Sequence, residues 1–289
     1  MDFGIVGLQT APTRAPTTTA ATLAALDSLA AAHAPDNHLV VTPELALTGY
    51  GPRPPSVLPD TAVLDSLCAT AARHDVALVV GHALVVDGAV RNAAVVIDRR
   101  GRLRAVHVKA HLFGDERRWF AAGDGPPAVV DLDGLRVAVA ICYDAEFPEY
   151  LRMVADDVDL VVVPAVLFGP AATVRPVLEL VVPARAWESR CYVLYVNVAG
   201  DPVTEGAGSS LLAAPDGTVQ VACGPAPGVL RGTVRTDAVA AARAELPYLR
   251  DRRPALYAGH AGGPPDGVPA TRAETRINER HRHSEETQP

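Results

Sequence analysis

The sequence predicts an α/β protein whose β-sheets lie buried under helices, and three observations carry that prediction. Strand-like and helix-like segments alternate along the chain. Most strand-like segments are continuous apolar runs, which suits sheets covered on both faces. Hydrophobic residues make up 49% of the 289 residues while aromatics make up only 5%, so aliphatic side chains fill the core.

The elements follow in order. Residues 3–9 form a short apolar run and read as a buried strand. Thr17, Thr18 and Thr19 can cap an Ala/Leu-rich helix reaching about residue 32. Residues 38–42 read as a strand running into Pro43 and Glu44, and a Pro/Gly-rich loop spans residues 49–59. Asp60 can cap a helix to about residue 74. Residues 76–81, 93–98 and 103–109 read as strands, the last two joined by an Arg99-Arg100-Gly101 turn. Residues 135–141 are a continuous apolar strand leading into Cys142, and Pro148 opens a helix, because proline suits the first helical turn. Residues 160–163 read as a strand and 174–190 as one helix despite Pro176 and Pro183. Residues 192–198, 210–213, 219–222 and 229–234 complete the set of strands. No linker divides this region, so residues 1–258 are expected to form one domain. Residues 259–289 are polar and almost without aliphatics, and are expected to be a disordered or loosely docked tail. His281 and His283 within it read as solvated rather than metal-binding.

Composition narrows the function. With 26 basic against 33 acidic residues the formal net charge is −7. Such a surface disfavours phosphate backbones and anionic lipid, so neither nucleic acid nor membrane is an expected partner. The four cysteines, Cys68, Cys142, Cys191 and Cys223, form no CxxC pair, and the histidines lack zinc spacing, so no metal site is expected. The chain opens directly on a strand, without the pattern of a secretory signal. No uncharged apolar segment reaches about 18 residues. The expectation is a cytoplasmic protein with free thiols.

Three residues stand out by position, each just past the end of a strand: Glu44, Lys109 and Cys142. In open α/β architectures the carboxyl ends of strands face a common crevice, so these side chains can converge. A carboxylate, an ammonium and a thiol form a coherent set for acyl transfer. A free thiol has a pKa of about 8.5 and is mostly protonated at neutral pH, so a neighbouring carboxylate has to accept its proton during attack. An ammonium and the N–H after the nucleophile can hold the oxyanion that results. Taken singly, each has a plainer reading: an inert core cysteine, a surface lysine, a loop or cap glutamate.

The words around these residues add to the case. Pro43-Glu44-Leu45-Ala46-Leu47-Thr48-Gly49-Tyr50 resembles the first signature of the nitrilase (carbon–nitrogen hydrolase) superfamily. The stretch from Lys109 through Trp119-Phe120 to Gly123-Asp124 resembles its lysine signature. Ile141-Cys142-Tyr143-Asp144-Ala145-Glu146-Phe147-Pro148-Glu149 resembles its nucleophile signature. Ala184-Arg185-Ala186-Trp187-Glu188, Val196-Asn197-Val198-Ala199-Gly200 and Gly208-Ser209-Ser210 match weaker motifs downstream. Tyr248-Leu249-Arg250-Asp251-Arg252-Arg253-Pro254 resembles a late segment of its amidases. The resemblance covers about residues 3–257. It implies a four-layer α-β-β-α sandwich, a homodimer or larger homo-oligomer, and catalysis without metal or organic cofactor. The family's Glu–Lys–Cys triad falls on Glu44, Lys109 and Cys142. Its second glutamate, seven residues before a Gly-Asp pair, falls on Glu116 and would hold the lysine and the substrate. The Tyr143 N–H would complete the oxyanion site.

The same comparison bears on the substrate. Tyr143-Asp144 stands where true nitrilases place Trp-Glu, which favours amides over nitriles. Ala145 and Glu146 stand where carbamoylases and omega-amidases carry an arginine that clamps a carboxylate. The nucleophile segment looks closest to 5-aminopentanamidase and related aliphatic amidases. The expected substrate is therefore a short aliphatic amide, with a distal amino group as one option for its tail. Glu146 either faces that amine or serves as a salt-bridge or helix-start carboxylate. Tyr50 either lines the entrance or packs the loop, and Trp119 and Phe120 either wall the pocket or cap the core. Phe168 lies in an apolar Val166-Leu167-Phe168 segment where such amidases often carry Thr-Ala-Asn, which implies a greasier pocket wall. His111 reads as a local hydrogen-bonding partner and Cys191 as core. The alternatives are an N-carbamoyl amine hydrolase, a nitrilase with the same triad, and a catalytically silent scaffold of the same fold.

Overall fold

The computed structural model describes residues 1–12, 19–50, 60–200 and 207–258. Thr17, Thr18, residues 51–59 and the tail at 259–289 lie outside the described residues. Met1–Arg250 form one compact unit, and Asp251–Pro289 a second, of which Pro254–Ala258 is helical.

The first unit holds two six-stranded sheets. One contains β1 (Asp2–Gln9), β2 (Leu39–Val41), β3 (Ala77–Val86), β4 (Ala89–Ile97) and β5 (Leu103–Val108), with β12 (Gly228–Arg235) beside β1. The other runs in sequence order through β6 (Ala128–Leu132), β7 (Leu135–Val139), β8 (Leu160–Ala165), β9 (Tyr192–Asn197), β10 (Leu211–Ala213) and β11 (Val219–Ala222). Each sheet has three parallel strands at its centre, β1–β2–β3 and β7–β8–β9, flanked by antiparallel partners.

Strand alternation explains the layers. Ile5, Leu39, Val41 and Val79 face the second sheet and share one core with Val137, Val139, Val162 and Leu194. Their neighbours Val6, Val40, Leu78 and Val80 point the other way, against Leu26 of α1 (Thr19–His33) and Leu67 and Ala71 of α2 (Asp60–His74). Both faces are apolar, so the strand runs are continuous. Helices cover the second sheet likewise, giving the α-β-β-α sandwich. No helix among the described residues is long and apolar enough to cross a membrane.

Two elements differ from the sequence reading. β6 was not expected; Asp133 and Gly134 turn it into β7, both at positive φ (53° and 98°), the geometry of a two-residue hairpin. Asp131 and the alternating exposure of this edge strand break the apolar run that marks the others. The single helix expected over residues 174–190 is instead α4 (Ala171–Pro176), a π turn over Val177–Val181, and α5 (Val182–Ser189), after a short α3 (Pro148–Arg152) begun by its proline. Pro183 has no N–H and its ring crowds the carbonyl four residues back. In the wider turn just before it, the Val182 N–H bonds the Val177 carbonyl, five residues away.

Candidate active site

The site begins with a sharp bend after β2. Thr42 ends the strand, and its Oγ1 accepts the Gly81 N–H at 3.0 Å. The next peptides run hard against β3. A Cβ on Gly81 would sit 2.3 Å from the Pro43 oxygen and 2.8 Å from the Glu44 Cα, so only glycine allows the approach. Leu45 then adopts a left-handed conformation (φ 50°) and seals the bend with Leu112 and Phe120 in a small core. Trp119 and Tyr50 pack against that core, which places Phe120 in the packing rather than on a pocket wall.

This bend aims Glu44 inward, 2% exposed. Its Oε1 accepts from Lys109 Nζ at 2.7 Å and from Asn92 Nδ2 at 2.7 Å, and its Oε2 accepts the Val166 N–H at 2.9 Å. Lys109 follows β5, which runs in the same direction as β2, and its ammonium is fully buried. It also donates to Glu116 Oε1 at 2.8 Å. Glu116 lies on a one-turn 3-10 helix, Gly114–Arg118, and its other oxygen accepts the Phe113 N–H at 3.0 Å. Burial alone would discharge Lys109; the carboxylates of Glu44 and Glu116 outweigh it and hold the ammonium above the ordinary lysine range. Burial and the nearby Glu44 charge push Glu116 up.

Cys142 ends the run from β7 and starts a 3-10 helix, Cys142–Glu146, in a left-handed conformation (φ 46°). A non-glycine residue rarely holds that conformation without surrounding constraint. Its Sγ lies 3.9 Å from the Val166 oxygen and 3.9 Å from the Tyr195 hydroxyl. The Val166 residue therefore joins thiol and carboxylate, its N–H on Glu44 and its C=O beside the sulfur. Burial and the Glu44 charge push the thiol well up, so it rests protonated and needs a base at the moment of attack.

Asp144 holds the turn that carries the cysteine. Its carboxylate is fully buried; Oδ2 accepts the Ile141 N–H at 3.0 Å, and Oδ1 accepts the His111 N–H at 2.8 Å and lies 2.9 Å from His111 Nδ1. His107 Nε2 approaches Oδ2 at 3.5 Å, a long contact. The Lys109 segment is thereby tied to the cysteine turn. Burial by itself would raise Asp144, but hydrogen bonds from His107 and His111 and the Ile141 N–H prevail and hold it at about 2. A folded pKa below the unfolded 3.8 stabilises the protein above that pH, and the contribution fades as pH falls toward 2. Wild type is therefore expected to lose its advantage over Asp144→Asn by about 1 kcal/mol between pH 5 and pH 3. Urea unfolding of both proteins across that range measures it; a constant difference removes the assignment.

The aromatic side chains meet in a row. Tyr50 packs on Phe168 (5.5 Å between centroids), Phe168 on Phe113 (6.5 Å), Phe113 on Tyr143 (5.2 Å) and Tyr143 on Phe147 (4.9 Å). Phe113 and Phe168 are 47% and 39% exposed, so the row reaches the surface. Burial and the Glu116 and Glu44 charges raise the Tyr50 phenol. Glu146 is half-buried, and burial raises its carboxyl. Its carboxylate makes no ion pair or hydrogen bond among the described residues. Nearby Arg185 instead donates to the carbonyls of Ala145 and Glu146, both at 2.8 Å, and pairs with Glu188. A cavity of about 600 Å³ opens at the opposite strand ends, near His38 and Asp75, and includes none of these residues.

Glu44, Lys109 and Glu116 thus touch directly, Cys142 joins them through Val166, and Tyr50, Tyr143 and Phe168 share the aromatic row. Sequence reasoning missed Asn92, Tyr195, Phe113 and Phe147 as site residues, and gave Val166 only as part of an apolar pocket wall. Val166 acts through its backbone, which leaves no mark on residue type. Asn92 sits in an ordinary-looking strand, and only the register of β4 on β5 brings it to Lys109. Arranged in this way, the groups can deprotonate a thiol, hold an anion beside an ammonium and exclude bulk water.

Comparison with known proteins follows the same lines. Residues 4–244 match the carbon–nitrogen hydrolase family. The chain is 35% identical over 236 residues to a hydrolase from the pqqF 5′ region of Pseudomonas protegens, covering 78% of this chain and 82% of that protein. It is 32% identical over 238 residues to 2-oxoglutaramate amidase of Bacillus subtilis, covering 76% and 86%. Among solved structures, a cysteine-to-alanine variant of an amidase from Nesterenkonia sp. AN1, in complex with butyramide, superposes with a TM-score of 0.73 at 26% identity over 90% of this chain and 96% of that one.

Proposed function

Because this chain belongs to the carbon–nitrogen hydrolase family and is an amidase of the nitrilase superfamily, we propose that it hydrolyses short aliphatic carboxamides through a Cys142 thioester and favours a distal amino group on the acyl tail. Glu44 takes the thiol proton as sulfur attacks the amide carbon. Lys109 and the Tyr143 N–H hold the oxyanion. The C–N bond breaks, Glu44 returns the proton and ammonia leaves. Water, deprotonated by Glu44, then attacks the thioester, and the C–S bond breaks to release the acid and restore the thiol. Glu116 fixes Lys109 and one edge of the substrate.

The observation that carries the triad is the single Lys109 ammonium shared by two buried carboxylates, with the Val166 peptide between one of them and the sulfur. The amino-tail preference rests on Glu146. Its carboxylate is half-buried, raised by burial, and spared by an arginine whose donors go to backbone carbonyls. A substrate ammonium supplies the missing partner, and the aromatic row suits a cation and a methylene chain. The butyramide bound by the Nesterenkonia amidase is also a short aliphatic amide. The Bacillus relative is a 2-oxoglutaramate amidase, so an acid-tailed amide belongs in the test.

Ammonia release from butyramide, 5-aminopentanamide and adipamate decides the matter. The expected order of kcat/KM places 5-aminopentanamide first and adipamate last. Glu146→Gln is expected to cut the preference for 5-aminopentanamide over butyramide by about tenfold, the worth of one charge-assisted contact. A preference for adipamate defeats the tail assignment, and absence of ammonia from all three defeats the substrate class.

A further inference from the structure

The hydroxyl of Tyr195 has no place in the reaction as derived so far. Tyr195 is 1% exposed, one of the largest fully buried side chains in the protein. It lies in β9 between Val163 of β8 and Leu211 of β10, a position where a purely apolar ring would fill the same space. Burying a phenol oxygen without a partner costs about 1 to 3 kcal/mol, so such groups are normally bonded. Among the described residues, the one hydrogen-bond partner of the Tyr195 oxygen is the Cys142 sulfur, at 3.9 Å. Among the described residues, the sulfur's other hydrogen-bond partner is an acceptor, the Val166 carbonyl. A thiol can give its single proton to that carbonyl, which leaves the phenol to donate toward sulfur.

We propose that Tyr195 is a further catalytic residue, whose hydroxyl donates a hydrogen bond to the Cys142 sulfur and stabilises the negative charge that sulfur carries as it attacks and as it leaves. The inference rests on the reading of Cys142 as nucleophile. No proton passes from Tyr195. In acylation the thiol proton goes to Glu44 while the sulfur lone pair forms the C–S bond. In deacylation the C–S bonding pair returns to sulfur, which regains its proton from Glu44. During each of these steps sulfur carries partial negative charge, and the phenol is the neutral donor facing it. The charged or titratable groups around this pair are Glu44, Lys109, Glu116, Glu146 and Tyr50. Lys109 stabilises anionic sulfur and the carboxylates oppose it. Burial and the charge beside it push the phenol far up, so it stays a donor across the working pH range.

The test uses Tyr195→Phe in the full chain, with Tyr195→Leu as a second variant should the first fold poorly. Iodoacetamide alkylation of Cys142, followed by intact mass and peptide mapping, reads the sulfur directly, and Cys142→Ala controls for Cys68, Cys191 and Cys223. Loss of one hydrogen bond to an ionised acceptor is expected to slow alkylation at pH 8 about tenfold, to raise its pH midpoint by about one unit, and to lower kcat on butyramide by about tenfold with little change in KM. Thermal melting is expected to stay close to wild type. An alkylation rate and midpoint equal to wild type in a folded variant overturn the proposal. The alkylation readout holds even if no amide is turned over, so failure of the amidase substrate reading and failure of the Tyr195 assignment give different results.

Discussion

Cys142→Ala is expected to abolish amide hydrolysis, lowering kcat by about 10⁴-fold or more, while the protein keeps its fold. Among the described residues, the Cys142 sulfur is the soft nucleophile that approaches the buried Glu44–Lys109–Glu116 cluster. The structural cost is small. Among the described residues the thiol makes two polar contacts, both at 3.9 Å, and alanine tolerates the left-handed turn (φ 46°) about as well as cysteine does. A loss of about 1 kcal/mol in stability is expected from removing one buried sulfur. Ammonia release on the three-amide panel and a thermal melt check both halves. Residual turnover above about 1% of wild type in a folded variant shows that the chemistry does not pass through this thiol.

Lys109→Met is expected to strike stability and activity together. The ammonium is fully buried and is the common partner of Glu44 and Glu116. Its removal leaves two carboxylates close together in a dry site without a counter-charge. Breaking a buried pair from one side costs about 3 to 5 kcal/mol. Loss of the group beside the oxyanion is expected to lower kcat by about 10³-fold on top of that. The sign of the pH dependence separates this from simple loss of packing. Glu116 is already pushed up by burial and by Glu44, and without Lys109 it is expected to take up a proton in the folded state. Carboxyls whose folded pKa lies above the unfolded 4.5 stabilise the protein below that value, and the benefit is lost as pH rises through the folded pKa. The variant is therefore expected to regain stability relative to wild type when pH is lowered from 8 to about 5. A gap between variant and wild type that is independent of pH in urea unfolding contradicts the shared-charge account.

Both predictions concern residues that the sequence picks out, but for different reasons than the structure provides. Cys142 and Glu44 are visible because an apolar strand run stops at a reactive side chain. Lys109 is visible only with the words around it, since an isolated lysine after a strand reads as surface. Glu116 is visible only through the family resemblance, and its contact with the Lys109 ammonium depends on a one-turn helix that no periodicity announces. The buried strands at the centre of each sheet are legible, because strands buried on both faces leave continuous aliphatic runs. The β6 edge strand was not, because its exposed positions and Asp131 dilute that signal. The π turn after α4 was hidden for a related reason: Pro176 and Pro183 mark trouble, but whether a helix kinks, ends or widens into a π turn depends on what it packs against.

The sequence by itself determined the fold class, the order of most elements and the chemical set of thiol, ammonium and carboxylates, because strand periodicity and residue chemistry are local properties of the chain. Tertiary structure alone decided which groups stand next to which: Asn92 on Glu44, the Val166 peptide between carboxylate and sulfur, Asp144 across two segments, and Tyr195 beside the thiol. Apart from the local Asp144–Ile141 bond, those contacts join residues between 24 and 122 positions apart, several of them through backbone groups that every residue type shares. Distances of a few ångströms between such groups are set by sheet register and by the bends that end strands, and neither is written in residue identity.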